Sequence, residues 1–373
     1  MRPNVAVIVL NWNGWADTLE CLESLQHLTY PSFQIILVDN GSIDDSVVKI
    51  KDWCRGKIPV QTDFVRWEPG LKPVAFVEYG QADAESGGDV GREARLKTSS
   101  SQRRLIIIQT AENLGFAGGN NVALKYCLKR DYDYLLLLNN DTVVDPESLT
   151  EIIKVAASDE TIGVAGPMVL YYHRPRLIFS AGISVSNVGR RVRRIGLMQN
   201  QDALPFNKTR DVEGIAGCAL LVGQKTVRAI GLLDERYYLY MEEADWCTRA
   251  IRHHFRCVYI PRARIWHKGW GSVQNDPGLL DYYLARSQIL YLKKYSFGVR
   301  FVLDVVAYSL RSFFKTFEKS VGTGNWVGWR AHLLGLVHGF SGRYSYRRHR
   351  PARSGSRPDK TSMHAKNPKE TVE

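Results

Sequence analysis

The sequence lacks several features that would assign a protein to a special class. None of its six cysteines forms a C-x-x-C pair and several lie in apolar segments, so we expect free thiols in a reducing compartment and no disulfide framework. No apolar run approaches the ~20 residues that are needed to span a bilayer. The apolar run at residues 4–10 is short and no small-residue cleavage site follows it, which indicates a strand and not a signal peptide.

The charge of the chain is positive and unevenly distributed. The 373 residues, 45% of them hydrophobic, suffice for one large or two medium globular domains. Half of the net charge of +12 lies in residues 341–373, where nine Lys or Arg stand against three acids. The composition of this tail predicts disorder. Its candidate partners are nucleic acid and an anionic membrane surface, and the lack of aromatic or base-reading motifs favours the membrane.

Buried strands alternate with helical patterns in the first part of the chain. Apolar runs typical of strands lie at residues 5–12, 33–40, 104–109 and 134–141, and helical spacing follows the first three. Continuous apolar strands separated by helices are typical of a parallel sheet that helices cover on both faces. We therefore predict an α/β fold with a mostly parallel central sheet.

Polar side chains stand at the carboxyl ends of all four predicted strands. They are Asn11 and Asn13, Asp39 and Asn40, Asn113, and the run Asn139, Asn140 and Asp141. Turn chemistry could explain each end by itself. Ligands of parallel α/β sheets bind at the carboxyl ends of the strands, so the four ends together favour a shared pocket.

The rest of the chain follows the alternation less regularly. Residues 61–102 are polar and nearly aperiodic, so we predict an inserted excursion that could contain a hairpin, and we assign it no role. A second hairpin is predicted within residues 179–196. Residues 296–340 show amphipathic helical spacing, which fits either a packing layer or an interfacial helix on a membrane. We therefore divide the chain into an α/β domain at 1–295, a helical extension and the basic tail.

Three motifs at the strand ends carry candidate binding chemistry. In "VDNGSIDDS", Asp39 ends a strand and can accept hydrogen bonds from a nucleoside. In "ENLGFAGGNN", glycines such as Gly118 allow the backbone to approach a ligand closely, and Asn113 and Asn120 flank them. The helix that follows would point its N-terminus at a phosphate. The run Asn139 to Asp141 would suit a hard cation that bridges phosphate oxygens.

Together with "GCALLVG", "YMEEADWCTR" and "IWHKGWGS", these motifs resemble the family 2 glycosyltransferases over residues 5–295. The middle motifs look most like the rhamnosyltransferase-like and galactofuranosyltransferase-like branch. The resemblance implies a GT-A fold with a Rossmann-like sheet. It also implies inverting transfer of rhamnose or another deoxyhexose from a dTDP- or UDP-linked donor to a glycan or polyprenyl-linked acceptor. Such an enzyme of cell-surface polysaccharide synthesis would be cytoplasmic and peripheral at the inner face of the plasma membrane.

The resemblance also assigns a metal site. Asn139 to Asp141 corresponds to the family's D-x-D motif, which holds Mg²⁺ or Mn²⁺ against the donor diphosphate. Asn139 replaces the first acid of that motif, which leaves Asp141 as the expected metal ligand. His267 follows Glu242 by 25 residues, as does a histidine that completes the metal site in relatives.

The acidic motif "YMEEADWCTR" is expected to form the acceptor side. Inverting transfer needs a carboxylate that takes the proton of the acceptor hydroxyl, and Glu242 and Glu243 are both candidates. The galactofuranosyl-type relatives favour Glu242, the first acid of the pair. Asp245 and Arg249 are expected on the same side of one helix as Glu242, where the arginine could pair with an acid. Trp270 could stack on a sugar or simply pack.

Two other functions remain open at this point. A polyprenyl-phosphate sugar synthase would share the fold, although such enzymes usually keep a fully acidic D-x-D motif. A nucleotide-binding scaffold without catalysis would explain the replacement at Asn139, but the two glutamates and His267 argue against it. The residues specify neither the sugar and the base of the donor, nor the acceptor, nor the anomer.

Overall fold

The predicted strands lie side by side in one large sheet of the computed structural model, which describes residues 2–269 and 278–343. This sheet has 11 strands, and β9 and β10 form a separate hairpin. The strands are β1 (Val5–Asn11), β2 (Phe33–Asp39), β3 (Ala75–Gly80), β4 (Arg104–Gln109), β5 (Tyr134–Asn139), β6 (Thr142–Val144), β7 (Ile162–Tyr171), β8 (Ile178–Ser180), β9 (Ile183–Val185), β10 (Val192–Arg194), β11 (Arg210–Val212), β12 (Ala219–Gly223) and β13 (Arg256–His267).

The central sheet is mostly parallel, as predicted. Its strands run in the order β11-β13-β7-β12-β5-β1-β2-β4-β3, with β6 beside β13 and β8 beside β7. All neighbours from β5 to β3 are parallel. β12 is antiparallel to both β5 and β7 and thereby joins this part to the parallel pair of β7 and β13. The carboxyl ends of β5, β1 and β2 consequently lie next to one another.

Helices cover both faces of the sheet. They are α1 (Trp15–Gln26), α2 (Ser46–Cys54), α3 (Gln81–Glu85), α4 (Val90–Ala94), α5 (Gly115–Cys127), α6 (Ser148–Ala156), α7 (Gln224–Ile230), α8 (Glu242–Arg252), α9 (Leu279–Tyr295), α10 (Gly298–Thr323) and α11 (Val327–Ser341). Successive strand residues point to opposite faces. Val7 of β1 accordingly packs in the core with α1, α2 and α6, and Ile8 in the core with α5, α7 and α8.

The segment at residues 61–102 forms part of the sheet and contains no hairpin. Its strand β3 pairs in parallel with β4, with Ala75 opposite Arg104, and becomes the edge of the sheet. The short helices α3 and α4 lead from β3 back to β4. The hairpin predicted within residues 61–102 is therefore wrong. The partner of β3 is β4, which follows it after a crossover, and not a strand that folds directly back on β3.

The helical extension predicted at residues 296–340 comprises α10 and α11, and α9 precedes them. Helix α9 is largely buried, whereas α10 buries only Asp304 and Ser320 among its 26 residues. Across the described ranges, no helix is both long and apolar enough to cross a membrane. Residues 344–373, where disorder was predicted, lie outside the described residues.

Candidate active site

The polar strand ends meet at one edge of the sheet. Asn11 at the end of β1 stands opposite Asp39 at the end of β2, and its Nδ2 donates to Asp39 Oδ1 at 2.7 Å. Asn140, just beyond β5, donates from Nδ2 to Asn11 Oδ1 at 3.4 Å and to Thr18 Oγ1 at 2.9 Å. Thr18 in turn donates to Asn11 Oδ1 at 2.8 Å. The ends of three adjacent strands thus share one hydrogen-bonded network, which includes a threonine that the motifs did not indicate.

Asp39 is held by the turn that follows it. Ser42 donates to the carboxylate from its hydroxyl at 2.7 Å and from its backbone N–H at 3.2 Å. Asn13, at φ 51°, accepts from the backbone N–H of Ile43 at 2.8 Å and so joins the β1 and β2 loops. Gly41 has φ +67°, and a Cβ there would lie 2.5 Å from the backbone of Glu112. The loops are therefore closely packed around a fixed carboxylate.

The N-terminus of α5 does not offer the expected phosphate site. Asn113 lies two residues before this helix begins, and its Oδ1 accepts from the backbone N–H of Gly115 at 2.8 Å. The next two backbone N–H groups, of Phe116 and Ala117, donate to the carbonyl oxygen of Tyr238 at 2.7 and 3.4 Å. The expected phosphate site at this helix N-terminus is thus filled by a carbonyl group of the chain itself.

Gly118 and Asn120 lie inside α5. A Cβ at Gly118 would approach the side chain of Leu114 to 2.8 Å. Asn120 is buried and donates from Nδ2 to the carbonyl of Phe116 at 2.9 Å, one helical turn earlier. These contacts give both residues a role in packing, and their contact with a nucleotide stays a prediction.

Asp141 and His267 form a close pair. The β6 and β13 strands place His267 opposite Thr142, so that His267 Nε2 lies 3.1 Å from Asp141 Oδ1. Burial alone would raise the pKa of Asp141, but the adjacent His267 holds it below its ordinary value. Asn139 Oδ1 and His267 Nδ1 are buried and have no hydrogen-bond partner in the described part of the chain. No group of three or more His, Cys, Asp or Glu that could hold a metal occurs in that part, so a cation here would need ligands from the substrate or from water.

Glu242 and Glu243 open α8. Glu242 is only 4% exposed, and its Oε2 has no hydrogen-bond partner among the described residues. Burial and the neighbouring charge of Glu243 raise its pKa well above the ordinary value. The pKa of Glu243 is also raised by burial, but backbone N–H groups at the start of α8 oppose the rise. Glu242 therefore carries a buried oxygen without a partner in this part of the chain, whereas the Glu243 side chain is only partly buried.

The acidic pair and Asp141 all lie close to Tyr240. Burial raises the pKa of the Tyr240 hydroxyl, and the charges of Glu242, Glu243 and Asp141 raise it further. One phenol thus lies within electrostatic reach of all three acids. Tyr240 has φ 66°, so its ring direction depends on an unusual backbone conformation that no residue pattern in the sequence indicated.

Asp245 and Arg249 face a different set of partners. Arg249 Nε donates to Asp245 Oδ2 at 3.0 Å, which confirms the expected pairing of the arginine with an acid of the same helix. Asp245 also accepts from the hydroxyl groups of Tyr237 and Tyr295 at 3.2 and 2.8 Å. Their acceptor-side role stays a prediction, since these contacts already join α8 to the loop before it and to α9. Trp270 lies outside the described residues.

Comparison with protein families gives one match over half of the chain. The family model described as "Glycosyl transferase family 2" matches residues 6–66 and 91–218. The unmatched residues between these two ranges include β3 and α3, part of the segment that interrupts the predicted alternation.

Relatives by sequence are distant. The chain is 26% identical over 171 residues to the low-salt glycan biosynthesis hexosyltransferase Agl10 of Haloferax volcanii. The matched region covers 44% of this chain and 52% of the relative. It is 20% identical over 212 residues to the dTDP-rhamnosyl transferase RfbF of Shigella flexneri. That match covers 55% of this chain and 68% of the relative. The chain thus spans about half the length of the Haloferax protein.

Among solved structures, the chain resembles the mannosyltransferase PcManGT from Pyrobaculum calidifontis, solved in complex with GDP-Man and Mn²⁺. The TM-score is 0.50 at 12% sequence identity, and the match covers 92% of this chain and 88% of the other. At this identity the likeness concerns the fold alone. It agrees with the GT-A architecture of a mostly parallel sheet and additional C-terminal helices.

Proposed function

Because the chain belongs to glycosyl transferase family 2, we propose that it transfers a sugar from a nucleotide-diphosphate donor to an acceptor hydroxyl group with inversion at the anomeric carbon. The observation that carries this proposal is the buried Glu242 carboxylate, which keeps one oxygen without a partner among the described residues. A base for a hydroxyl proton needs a free oxygen in reach of the acceptor. The hydrogen-bonded network at the ends of β1, β2 and β5 supports a donor site at that edge of the sheet.

The reaction is one displacement. Glu242 takes the proton of the acceptor hydroxyl while the hydroxyl oxygen forms a bond to the anomeric carbon. The bond from that carbon to the β-phosphate oxygen breaks, and the nucleoside diphosphate leaves with the bonding electrons. The raised pKa of Glu242 makes its carboxylate a stronger base than an exposed glutamate. Glu243, whose raised pKa is opposed by backbone N–H groups at the start of α8, would orient the base.

A divalent cation, Mg²⁺ or Mn²⁺, fits the pair of Asp141 and His267. The carboxylate and the imidazole are suitable ligand types, and their facing atoms lie 3.1 Å apart at the carboxyl edge of the sheet. When bound, the cation would supply positive charge to the leaving diphosphate. The Mn²⁺ in the complex of the Pyrobaculum mannosyltransferase supports this assignment.

For the donor sugar we propose rhamnose or another deoxyhexose linked to dTDP or UDP. The Shigella relative is named a dTDP-rhamnosyl transferase, which supports this donor class. For the acceptor we propose a glycan, free or linked to a polyprenyl carrier, in cell-surface polysaccharide synthesis. The Haloferax relative is named for glycan biosynthesis, which supports a glycan acceptor.

A panel of nucleotide sugars tests the proposal. Each donor is added with Mg²⁺ or Mn²⁺, and the melting temperature and the release of nucleoside diphosphate are measured. A ligand at 100 times its Kd stabilises the fold by about 2.7 kcal/mol. We expect a dTDP- or UDP-linked deoxyhexose to stabilise the parent and Glu242→Gln alike, and the variant to turn over far more slowly than the parent. Stabilisation by no donor would refute the proposed function.

The C-terminal helices support an anionic membrane surface as a further partner. Fourteen of the 22 exposed large hydrophobic residues in the described part of the chain lie between Phe297 and Phe340. Eight of them form one stripe along α10, since they follow a spacing of three or four residues. The stripe consists of Val299, Val302, Leu303, Val306, Leu310, Phe314, Phe317 and Val321, each 39–77% exposed.

The positive charge of the C-terminal region favours a membrane surface as its partner over a second copy of the chain. Residues 296–340 carry five Lys or Arg against two acids, and the basic tail follows them. Two such surfaces would repel each other, whereas anionic lipid would attract both the helices and the tail. The apolar stripe would then lie in the interface between headgroups and acyl chains.

Vesicle flotation tests this partner. Phe314→Glu introduces a charge into the stripe, and Val48→Glu makes the same kind of change at a similarly exposed residue of α2. We expect Phe314→Glu alone to weaken binding to anionic vesicles, and high salt to weaken the binding of the parent. A parent that ignores anionic vesicles, or a dimer that Phe314→Glu dissociates, would contradict the membrane assignment.

A further inference from the structure

Arg194 lies beside the candidate active site. It ends β10, and its guanidinium carbon lies 4.1 Å from the centroid of the Phe179 ring. The same ring meets the imidazole of His267 edge-on, with the centroids 4.7 Å apart. A single aromatic ring therefore separates the guanidinium group from the pair of Asp141 and His267.

A second observation places the charge of Arg194 near the acids. Burial raises the pKa of the Cys218 thiol, Asp141 and Glu243 raise it further, and Arg194 lowers it. The thiol of Cys218 thus lies within electrostatic reach of all three charges. Its backbone carbonyl accepts from the N–H of Asn139, which fixes it at the end of β5. Arg194, Asp141 and Glu243 therefore all lie near the Cys218 thiol.

No acid of the described residues pairs with the guanidinium group of Arg194. Within residues 2–269 and 278–343, the Arg194 side chain forms neither an ion pair nor a hydrogen bond, and it rests on the Phe179 ring. Burial lowers its pKa, which reflects the cost of keeping an uncompensated cation away from water. Another cation close to the site, Lys268, is already held by Asp17 and Glu20 at 2.7 and 2.5 Å.

A diphosphate in this site needs additional positive charge. Asp39, Asp141, Glu242 and Glu243 all lie around the proposed substrates, and their ionised forms would repel a phosphate. The N-terminus of α5, a usual source of phosphate-binding N–H groups, is filled by the carbonyl of Tyr238. A partly buried guanidinium without an anion is therefore the kind of group that the donor requires.

We propose that Arg194 binds the diphosphate of the nucleotide-sugar donor, an inference that rests on the proposed function. The planar guanidinium group can donate two parallel hydrogen bonds to phosphate oxygens. Its contact with the Phe179 ring, a cation–π interaction, orients the group before the donor arrives. Negative charge on the diphosphate grows as the bond to the anomeric carbon breaks, so the same contact assists the departure of the nucleoside diphosphate.

Isothermal titration calorimetry with unreacted ligands tests the inference. The probes are dTDP and UDP, the corresponding monophosphates, and thymidine and uridine, each with Mn²⁺. Arg194→Gln removes the charge, and Arg193→Gln is the matched control, because the adjacent residue of β10 is exposed. We expect Arg194→Gln to weaken diphosphate binding roughly ten- to hundredfold, the size of a lost hydrogen bond to a charged group. Nucleoside binding should not change, and Arg193→Gln should behave as the parent.

The outcomes separate the inference from the proposed function. If Arg194→Gln binds dTDP and UDP as tightly as the parent, the inference is wrong and the function stands. The inference is equally wrong if diphosphate binding is normal and only the KM of a phosphate-containing acceptor rises, because the anion would then be that of the acceptor. Equal losses for nucleoside and diphosphate would show a misfolded site and would also contradict a specific phosphate contact. A parent that binds neither nucleoside diphosphate would refute the proposed donor and this inference with it.

Discussion

Replacing Glu242 by glutamine should separate catalysis from stability. The substitution keeps the size of the side chain and removes its basicity. General-base catalysis typically contributes about 10²–10⁴ in rate, so turnover should fall by that factor. Binding of the nucleoside diphosphate should change little, because the base contacts the acceptor and not the donor diphosphate. Glu243→Gln should lower turnover less if Glu243 only orients the base.

The same variant should be more stable than the parent at neutral and alkaline pH. Burial and Glu243 raise the pKa of Glu242 in the folded chain above its unfolded value. The stabilising contribution of the protonated form is therefore fully present below the unfolded pKa and is lost as the pH rises through the folded pKa. A buried polar group without a partner costs about 1–3 kcal/mol, and more when it is charged. Glutamine stays a buried polar group at the same place, so we expect Glu242→Gln to remove only the additional cost of the charge at pH 8 and to gain nothing near pH 4.

Two measurements on the same samples check the reasoning. Urea denaturation at several pH values gives the free energy of unfolding, and release of nucleoside diphosphate gives turnover. Glu160→Gln is the control, since its side chain is 92% exposed and lies far from α8 in the chain. If Glu242→Gln turned over at the rate of the parent, Glu242 would not be the base. If its stability followed that of the parent at every pH, the carboxylate would not be held in a desolvated position.

Three further predictions follow from other contacts. Asp141→Ala should abolish, and His267→Ala weaken, the Mn²⁺-dependent binding of dTDP or UDP in calorimetry; normal binding by both variants would show that these are not the metal ligands. Removal of residues 341–373 should weaken binding to anionic vesicles by about 1 kcal/mol for each Lys or Arg that contacts the surface, and unchanged flotation would leave α10 as the sole anchor. Gly115→Ala should lower the free energy of unfolding, measured in urea, by on the order of 1–3 kcal/mol. The reason is that Gly115 has φ +74° and that a Cβ would lie 2.5 Å from the carbonyl oxygen of Tyr238. A variant as stable as the parent would contradict a rigid contact between Gly115 and Tyr238.

The features that follow from local patterns were predictable. Apolar runs such as residues 33–40 are buried on both faces, and the rules of parallel sheets bring their polar ends together. The network between Asn11, Asp39 and Asn140 follows from these two facts alone. Family resemblance supplied what local patterns could not, namely the candidate roles of Glu242 and His267.

The features that depend on pairing between distant segments were not predictable. β3 pairs with β4 because β4 is the edge strand that is still open in the rest of the sheet, and no pattern in the residues of β3 indicates this partner. Arg194 stands in an Arg-rich stretch, and only the pairing of β9 with β10 determines which arginine turns inward. The filled N-terminus of α5 likewise depends on Tyr238, which lies over a hundred residues later in the chain.

The segment 238–241 connects the two halves of the candidate site. Tyr238, Tyr240 and Met241 all have positive φ, at 60°, 66° and 74°. Such conformations cost about 1–3 kcal/mol each in residues other than glycine, so contacts around the segment must offset the strain. The carbonyl of Tyr238 does so by accepting from the first turn of α5, and Met241 directly precedes Glu242 at the start of α8. A movement of this segment would therefore uncover the N-terminus of α5 and displace Glu242 together, so one piece of backbone sets the position of the proposed base and closes the start of α5.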